Sequence, residues 1–201
     1  MISSLTAEKL AVQRGSRSLA ENLSFTVKAG QALALEGANG AGKTSLLRLI
    51  AGLLPAAAGR VFVTEDAKEI GEAEERGRFV GWLGHHDALK ASFTVSEQLT
   101  FFGKLYGRSG DNAVLLEQVG LARQAELPCR YLSAGQRRRL ALARLLLSRR
   151  PLWLLDEPFA ALDVAGKGLV ARLIALHCGD GGIVVAATHD ELGLGNEVLK
   201  L

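Results

Sequence analysis

Residues 32–44 read ALALEGANGAGKT, an unbroken apolar run followed by a glycine-rich turn and a lysine–threonine pair. A short apolar run without polar alternation suits a strand buried on both faces. From Gly37 to Thr44 the spacing is G-x-x-x-x-G-K-[ST], set between that strand and a helix expected over 43–51 that stops before Gly52 and Pro55. The glycines let successive backbone amides turn toward an anion where a Cβ would clash, and the helix N-terminus adds its positive end. Gly37, Ala38, Asn39, Gly40, Ala41 and Gly42 are therefore the expected cradle for nucleotide phosphates, with Lys43, Thr44 and Ser45 opening the helix. Lys43 is expected to reach the β- and γ-phosphates, and the Thr44 hydroxyl to ligate Mg²⁺.

Further apolar runs recur at Val61–Val63 (VFV), 152–155 (LWLL) and 183–187 (IVVAA), with helical patterns between them. Strands of this kind alternating with helices predict an α/β fold built on a helix-covered parallel sheet. From about 88 to 150 the pattern is helical only. Thr94-Val-Ser-Glu97 is a capping box opening a helix to Gly107, with Leu99, Phe101, Phe102 and Leu105 as its apolar face. A second helix is expected over 112–119, ended by Gly120, and a third from Ser133. The chain thus divides into a core of residues 1–87 and 151–201 and a helical insert at 88–150, within one domain.

Asp156-Glu157 follows the run at 152–155, which puts two carboxylates at a strand end beside the cradle. Asp156 suits the Mg²⁺ carboxylate, held directly or through water, and Glu157 can orient and deprotonate an attacking water.

Composition narrows the partners. The 201 residues are 48% hydrophobic and 22% charged, enough apolar material for one core. A net charge of +3 is too small to point to nucleic acid. The basic stretch Arg137, Arg138, Arg139, Arg144, Arg149 and Arg150 reads as a solvated helix face, ahead of an RNA-binding patch. Cys129 and Cys178 have no metal- or haem-attachment spacing. Neither a signal-peptide pattern nor a run of ~18 apolar residues is seen, so a cytoplasmic protein that meets a membrane only through partners is expected.

Leu132-Ser133-Ala134-Gly135-Gln136 has capping-box spacing, so it should begin a helix whose free amides face an uncrowded approach. With this motif in view, nearly the whole chain resembles the ATP-binding subunits of ABC transporters. The phosphate loop, LSAGQ beside the family's LSGGQ, LLDEP at 154–158, Ala161-Leu162-Asp163 and His189 stand in the family's order. The resemblance implies a P-loop NTPase core of RecA-like type, mostly parallel, with an N-terminal antiparallel β part and an inserted helical subdomain. It further implies a head-to-tail homodimer in which the signature residues 132–136 of one subunit cap the γ-phosphate held by the other. Asp163 would lie at the dimer seam, and His189 would contact the γ-phosphate and the attacking water.

Two departures from the family's pattern stand out. Where the family has a glutamine after the strand at 79–83, this chain has LGHHDALK at 83–90, and His85 falls on the glutamine position. His85 is then a replacement that positions water or Mg²⁺, with His86 facing the membrane subunit; a two-histidine metal site lacks a third ligand nearby. Gln13-Arg14 stands where the family places an aromatic against adenine, so Arg14 could stack on the base instead. With LGH, LSAGQ and a short stretch after His189, the chain more narrowly resembles the ATP-binding subunit of the bacterial haem exporter of cytochrome c biogenesis. That implies permease partners in a haem-handling complex at the inner membrane, and no direct nucleic-acid partner. The same engine serving another cargo, a soluble ABC ATPase and a small-molecule kinase are the competing readings.

Overall fold

The computed structural model describes residues 1–15, 17–108, 112–193, 195 and 197–201. In chain order the strands are β1 (Ile2–Arg14), β2 (Arg17–Lys28), β3 (Ala32–Glu36), β4 (Ala58–Glu65), β5 (Lys68–Ile70), β6 (Val80–Leu83), β7 (Leu152–Asp156), β8 (Ile183–Ala187) and β9 (Glu197–Lys200). The α-helices are α1 (Lys43–Ile50), α2 (Ala73–Gly77), α3 (Val95–Leu105), α4 (Asn112–Gln118), α5 (Ala134–Ser148) and α6 (Val164–Gly179). Two sheets result: antiparallel β2-β1-β4-β5, and parallel β6-β7-β8-β3-β9.

The parallel strands show why their sequences lack polar alternation. Ala32, Ala34, Trp153, Leu155, Val184 and Ala186 point to one face, into a cluster with α3, α5 and α6. Leu33, Leu35, Leu152, Leu154, Ile183 and Val185 point to the other, against α1 and the antiparallel sheet. Side chains still alternate with period two, but both sides are covered. Helix α1 lies between the two sheets with Leu46, Leu47, Leu49 and Ile50 fully buried. Each such side chain contributes about 1.5–3 kcal/mol relative to exposure.

The run Val61–Val63 departs from the expected parallel strand. It lies in β4, paired antiparallel with β1. Val61 and Val63 enter the cluster over α1, while the outward Phe62 is covered by the Arg60 guanidinium, 4.5 Å from its ring centre. A long side chain thus buries a strand's second face without a helix. Strand β1 is bulged at Lys9 (φ 47°), and the carbonyls of Glu8 and Lys9 press on Gly59, where any Cβ would collide with them.

Both expected capping boxes are present. Thr94 Oγ1 accepts from Glu97 N at 3.1 Å, and Glu97 accepts from Thr94 N at 2.8 Å. The Ser133–Gln136 pair repeats this at 3.2 and 2.9 Å. Helix α3 stops at Leu105, two residues before the left-handed Gly107. Among the described residues no helix is long and apolar enough to cross a membrane.

Parallel pairing has one consequence that matters most. β3, β6, β7 and β8 all run the same way, so the phosphate-loop stretch, His85, Asp156-Glu157 and His189 leave the sheet at one edge. Ligands in open parallel sheets bind outside such strand ends.

Candidate active site

A cleft of about 810 Å³ opens at that edge. Ala38, Asn39, Gly40, Gly42, Lys43, Thr44 and Ser45 line it, together with Arg14, His85, His86, Asp156 and Glu157. Gly37 and Ala41 belong to the loop but not to the lining. Gly37 (φ 150°) lies against the Leu201 carbonyl, which an added Cβ would meet at 2.7 Å. Helix α1 starts from left-handed Gly42 (φ 113°) with no side-chain cap. Its first amides are therefore left for a ligand rather than for a serine or aspartate.

Lys43 is 8% exposed and curls back over the loop. Its Nζ donates to the Gly37 carbonyl at 2.6 Å and the Ala38 carbonyl at 3.3 Å, with His189 Nε2 at 3.4 Å. That contact ties His189, at the end of β8, to the phosphate loop across the sheet edge. The Thr44 hydroxyl lies 3.0 Å from each Asp156 carboxylate oxygen. A hydroxyl and a buried carboxylate are hard oxygen donors of the kind Mg²⁺ prefers, with phosphate and water completing its shell. Among the described residues no group of three or more His, Cys, Asp and Glu is placed to hold a metal.

Glu157 follows in a left-handed backbone (φ 49°), uncommon for a residue with a side chain. Its amide donates to the Ala187 carbonyl at 2.9 Å, so β8 holds the turn from one side. His85 and His86 are both exposed and both line the cleft, ring centres 5.4 Å apart and edge to face.

The sequence matches the ABC transporter family over residues 20–160. The cytochrome c biogenesis ATP-binding export protein CcmA of Rhodopseudomonas palustris (strain BisB5) is 49% identical over 198 residues, 98% of this chain and 97% of that protein. The protein of the same description from Nitrobacter winogradskyi is 46% identical over 199 residues, again 98% and 97%. In structure, an ABC transporter ATP-binding protein assigned in Pyrococcus furiosus aligns with TM-score 0.86 at 25% identity, covering 99% of this chain and 98% of its own.

The chain belongs to the ABC transporter ATP-binding family.

It is an ABC-type ATPase. The residues expected to form the signature lie outside the cleft. Leu132, Ser133, Ala134, Gly135 and Gln136 open α5, and none lines the cleft. Leu132 is buried and Ser133 exposed. Gly135 packs on the Ala161 carbonyl, 3.0 Å from where a Cβ would sit, which joins the signature turn to the Ala161-Leu162-Asp163 segment. Asp163 caps α6, accepting from Gly166 N at 2.7 Å. The two free cysteines are buried away from the cleft, and burial raises both thiols, Cys178 to about 11.

Sequence reading missed five walls of the cleft: Leu19, Arg48, Leu53, Trp82 and Gly84. Leu19 reaches in from the antiparallel sheet and touches the Cα side of Gly42, 3.0 Å from an added Cβ. Only the packing of one sheet over the other brings Leu19 in; the others flank the phosphate-loop helix or precede His85. The arginine run also departs from expectation. Arg138 and Arg144 are 4% and 7% exposed, so they are not a solvated face. Their guanidinium groups serve backbone carbonyls of two loops at the cleft.

Proposed function

We propose that this ATPase is the motor of a haem-handling export complex in cytochrome c biogenesis, working as a homodimer on integral membrane permease subunits at the cytoplasmic face of the bacterial inner membrane. The cargo reading rests on nearly full-length identity close to one half with relatives described as cytochrome c biogenesis export proteins. The hydrolytic reading rests on one observation: Lys43, Thr44, Asp156, Glu157 and His189 converge at a single sheet edge.

The loop amides and Lys43 bind the nucleotide phosphates, giving up the lysine's present bonds to its own loop carbonyls. Thr44 and Asp156 would hold the Mg²⁺ that accompanies ATP, an ion that offsets phosphate charge when bound. Glu157 takes the proton of a water as its oxygen bonds to the terminal phosphorus and the bond to the bridging oxygen breaks, giving ADP and phosphate. His189, already beside Lys43, donates to the terminal phosphate, and His85 orients the water from the opposite wall. Arg14 stacks on the base. Residues 88–150 act as the signature subdomain on a core of 1–87 and 151–201. Its Ser133 turn meets the ATP of a second subunit, with Asp163 at the seam; the exposure of Ser133 away from its own cleft supports that arrangement.

Glu157→Gln tests the chemistry. Turnover should fall by about 10²–10⁴ with ATP binding intact, the range for a positioned base. An ATP-bound dimer should then persist on size-exclusion chromatography, and wild-type turnover would end the assignment. Co-purification with membrane subunits, followed by absorption spectroscopy of the complex for haem, tests the cargo.

A further inference from the structure

Three arginines are buried among the described residues, and they are employed differently. Arg76 donates to the carbonyls of Leu49, Ile50, Val61 and Gly71, closing the end of α1 against α2. Arg144 donates to the carbonyls of Asp87 and Trp82 and lies over the Phe102 ring. Arg138 uses every donor it has. Nη1 reaches the Gly84 carbonyl at 2.7 Å and Asp87 Oδ1 at 3.2 Å. Nη2 reaches the Asp156 carbonyl at 2.7 Å and the Glu157 carbonyl at 2.6 Å, and Nε reaches the Pro158 carbonyl at 3.4 Å. Five N–H groups meet five acceptors, which is the full capacity of a guanidinium.

Those acceptors lie on two segments that this one guanidinium joins. Gly84 and Asp87 bracket His85 and His86; Asp156, Glu157 and Pro158 form the turn at the end of β7. Glu157 sits there in a left-handed conformation that is unfavourable for a residue with a Cβ. Its amide is held by Ala187, and its carbonyl by Arg138 and the Ala160 amide. Burial lowers the Arg138 pKa, opposed in part by the hydrogen bond and charge of Asp87.

We propose that Arg138 is a positioning residue for hydrolysis: it fixes the turn that presents Glu157 and, through Asp87, ties that turn to the loop carrying His85. A lysine cannot replace it, because one ammonium cannot fork to two loops. The inference rests on the reading of Glu157 as base. Arg76 is the internal control, equally buried but bonded only to carbonyls remote from the cleft.

The test is steady-state ATPase kinetics on the purified chain for Arg138→Lys, Asp87→Asn and Arg76→Lys, each with its melting temperature. Arg138→Lys should lower kcat by about 10- to 100-fold, the scale of a misplacement near 1 Å, with KM for ATP changed less than about twofold. Asp87→Asn should move kcat the same way by less. Arg76→Lys should lower the melting temperature and leave kcat of the folded protein unchanged. In a Glu157→Gln background, Arg138→Lys should cost under about twofold more, because a group acting through Glu157 has nothing left to position. Full additivity with Glu157→Gln overturns the proposal, and so does an Arg138→Lys protein that loses stability while keeping kcat. Wild-type turnover in Glu157→Gln alone removes the base itself and the inference with it, a result distinct from either of those.

Discussion

Two helices in this molecule begin at motifs read as phosphate-binding, and they treat their first amides in opposite ways. Helix α1 starts at Gly42 with no side-chain cap. Helix α5 starts at Ser133 with a reciprocal capping box to Gln136, as α3 does with Thr94 and Glu97 and α6 more simply with Asp163. An uncapped start leaves its amides able to bind an anion; a capped start is stable alone. Ser133 Oγ, having accepted from the Gln136 amide, still has its own O–H to donate outward. The first helix thus needs its ligand within its own chain, whereas the second offers a hydroxyl on an exposed surface.

The largest effects should separate the two starts. Lys43→Ala removes a charge-assisted partner and should weaken ATP binding by dilute monomer roughly 10- to 100-fold. Ser133→Arg should abolish most hydrolysis, about 10²–10³-fold by analogy with losing one donor to transition-state charge, yet leave monomer binding intact. Fluorescent-nucleotide titration and phosphate release measure the two. If Ser133→Arg also lost monomer binding, the comparison between the helices would collapse.

A subtler break comes from Gly42→Ala. The φ of 113° is strained for any L side chain, and Leu19 stands 3.0 Å from the new Cβ. The loop must shift, so nucleotide affinity should drop about tenfold by isothermal titration, with the fold retained. Gly135→Ala, at a helical φ, should disturb the contact with Ala161 and leave monomer affinity alone.

These contrasts show what a sequence can carry. The strand–glycine loop–helix unit, the strand end at 156–157 and both capping boxes are local patterns, each complete within about ten residues, whereas His189 stood out only through the family resemblance. Of these, the phosphate loop and Asp156-Glu157 line one cleft because parallel pairing puts their strand ends at one edge, while the capping boxes lie outside it. What stayed hidden depends on distant chain. Arg138 looked solvated until Gly84, 54 positions away, came to its side. Strands β1 and β2 lose their alternation at register shifts near Ala7, Leu10 and Val12. Leu19 and Trp82 carry no motif and become cleft walls only through packing. His85 and His86 both line the cleft, and nothing local separates two adjacent side chains in a coil.

A pH experiment is needed to keep these comparisons clean. His177, near the end of α6, stacks on Trp153 with ring centres 3.9 Å apart, and burial lowers its pKa from 6.5 to about 4. The unfolded chain therefore takes up a proton at this site before the folded chain does. Its stabilising contribution is fully present above pH ~6.5 and is lost as pH falls toward about 4. Up to roughly 2–3 kcal/mol is at stake, less the solvent screening of a partly exposed ring. Urea midpoints at pH 7, 5.5 and 4.5 should fall in the wild type and fall less in His177→Phe, which keeps the stack but cannot ionise. Equal slopes would deny His177 this role. Kinetic comparisons of His85 and His86 variants belong above that window.

The smallest effect is the most discriminating for α5. Gln136→Ala removes only the reciprocal bond to the Ser133 amide and should cost about 0.5–1 kcal/mol in urea unfolding, since that amide loses its acceptor at an exposed site. Ser133→Asp keeps an oxygen to accept from the Gln136 amide and so should hold the helix start within a few tenths of a kcal/mol. It has no O–H to donate, however, and it sets a negative charge where a γ-phosphate is to bind. Stability and turnover must then part: Gln136→Ala less stable with monomer binding unchanged, Ser133→Asp stable and unable to hydrolyse. Were Ser133→Asp to keep wild-type turnover, the hydroxyl would be a cap and nothing more, and α5 would be an ordinary capped helix like α3.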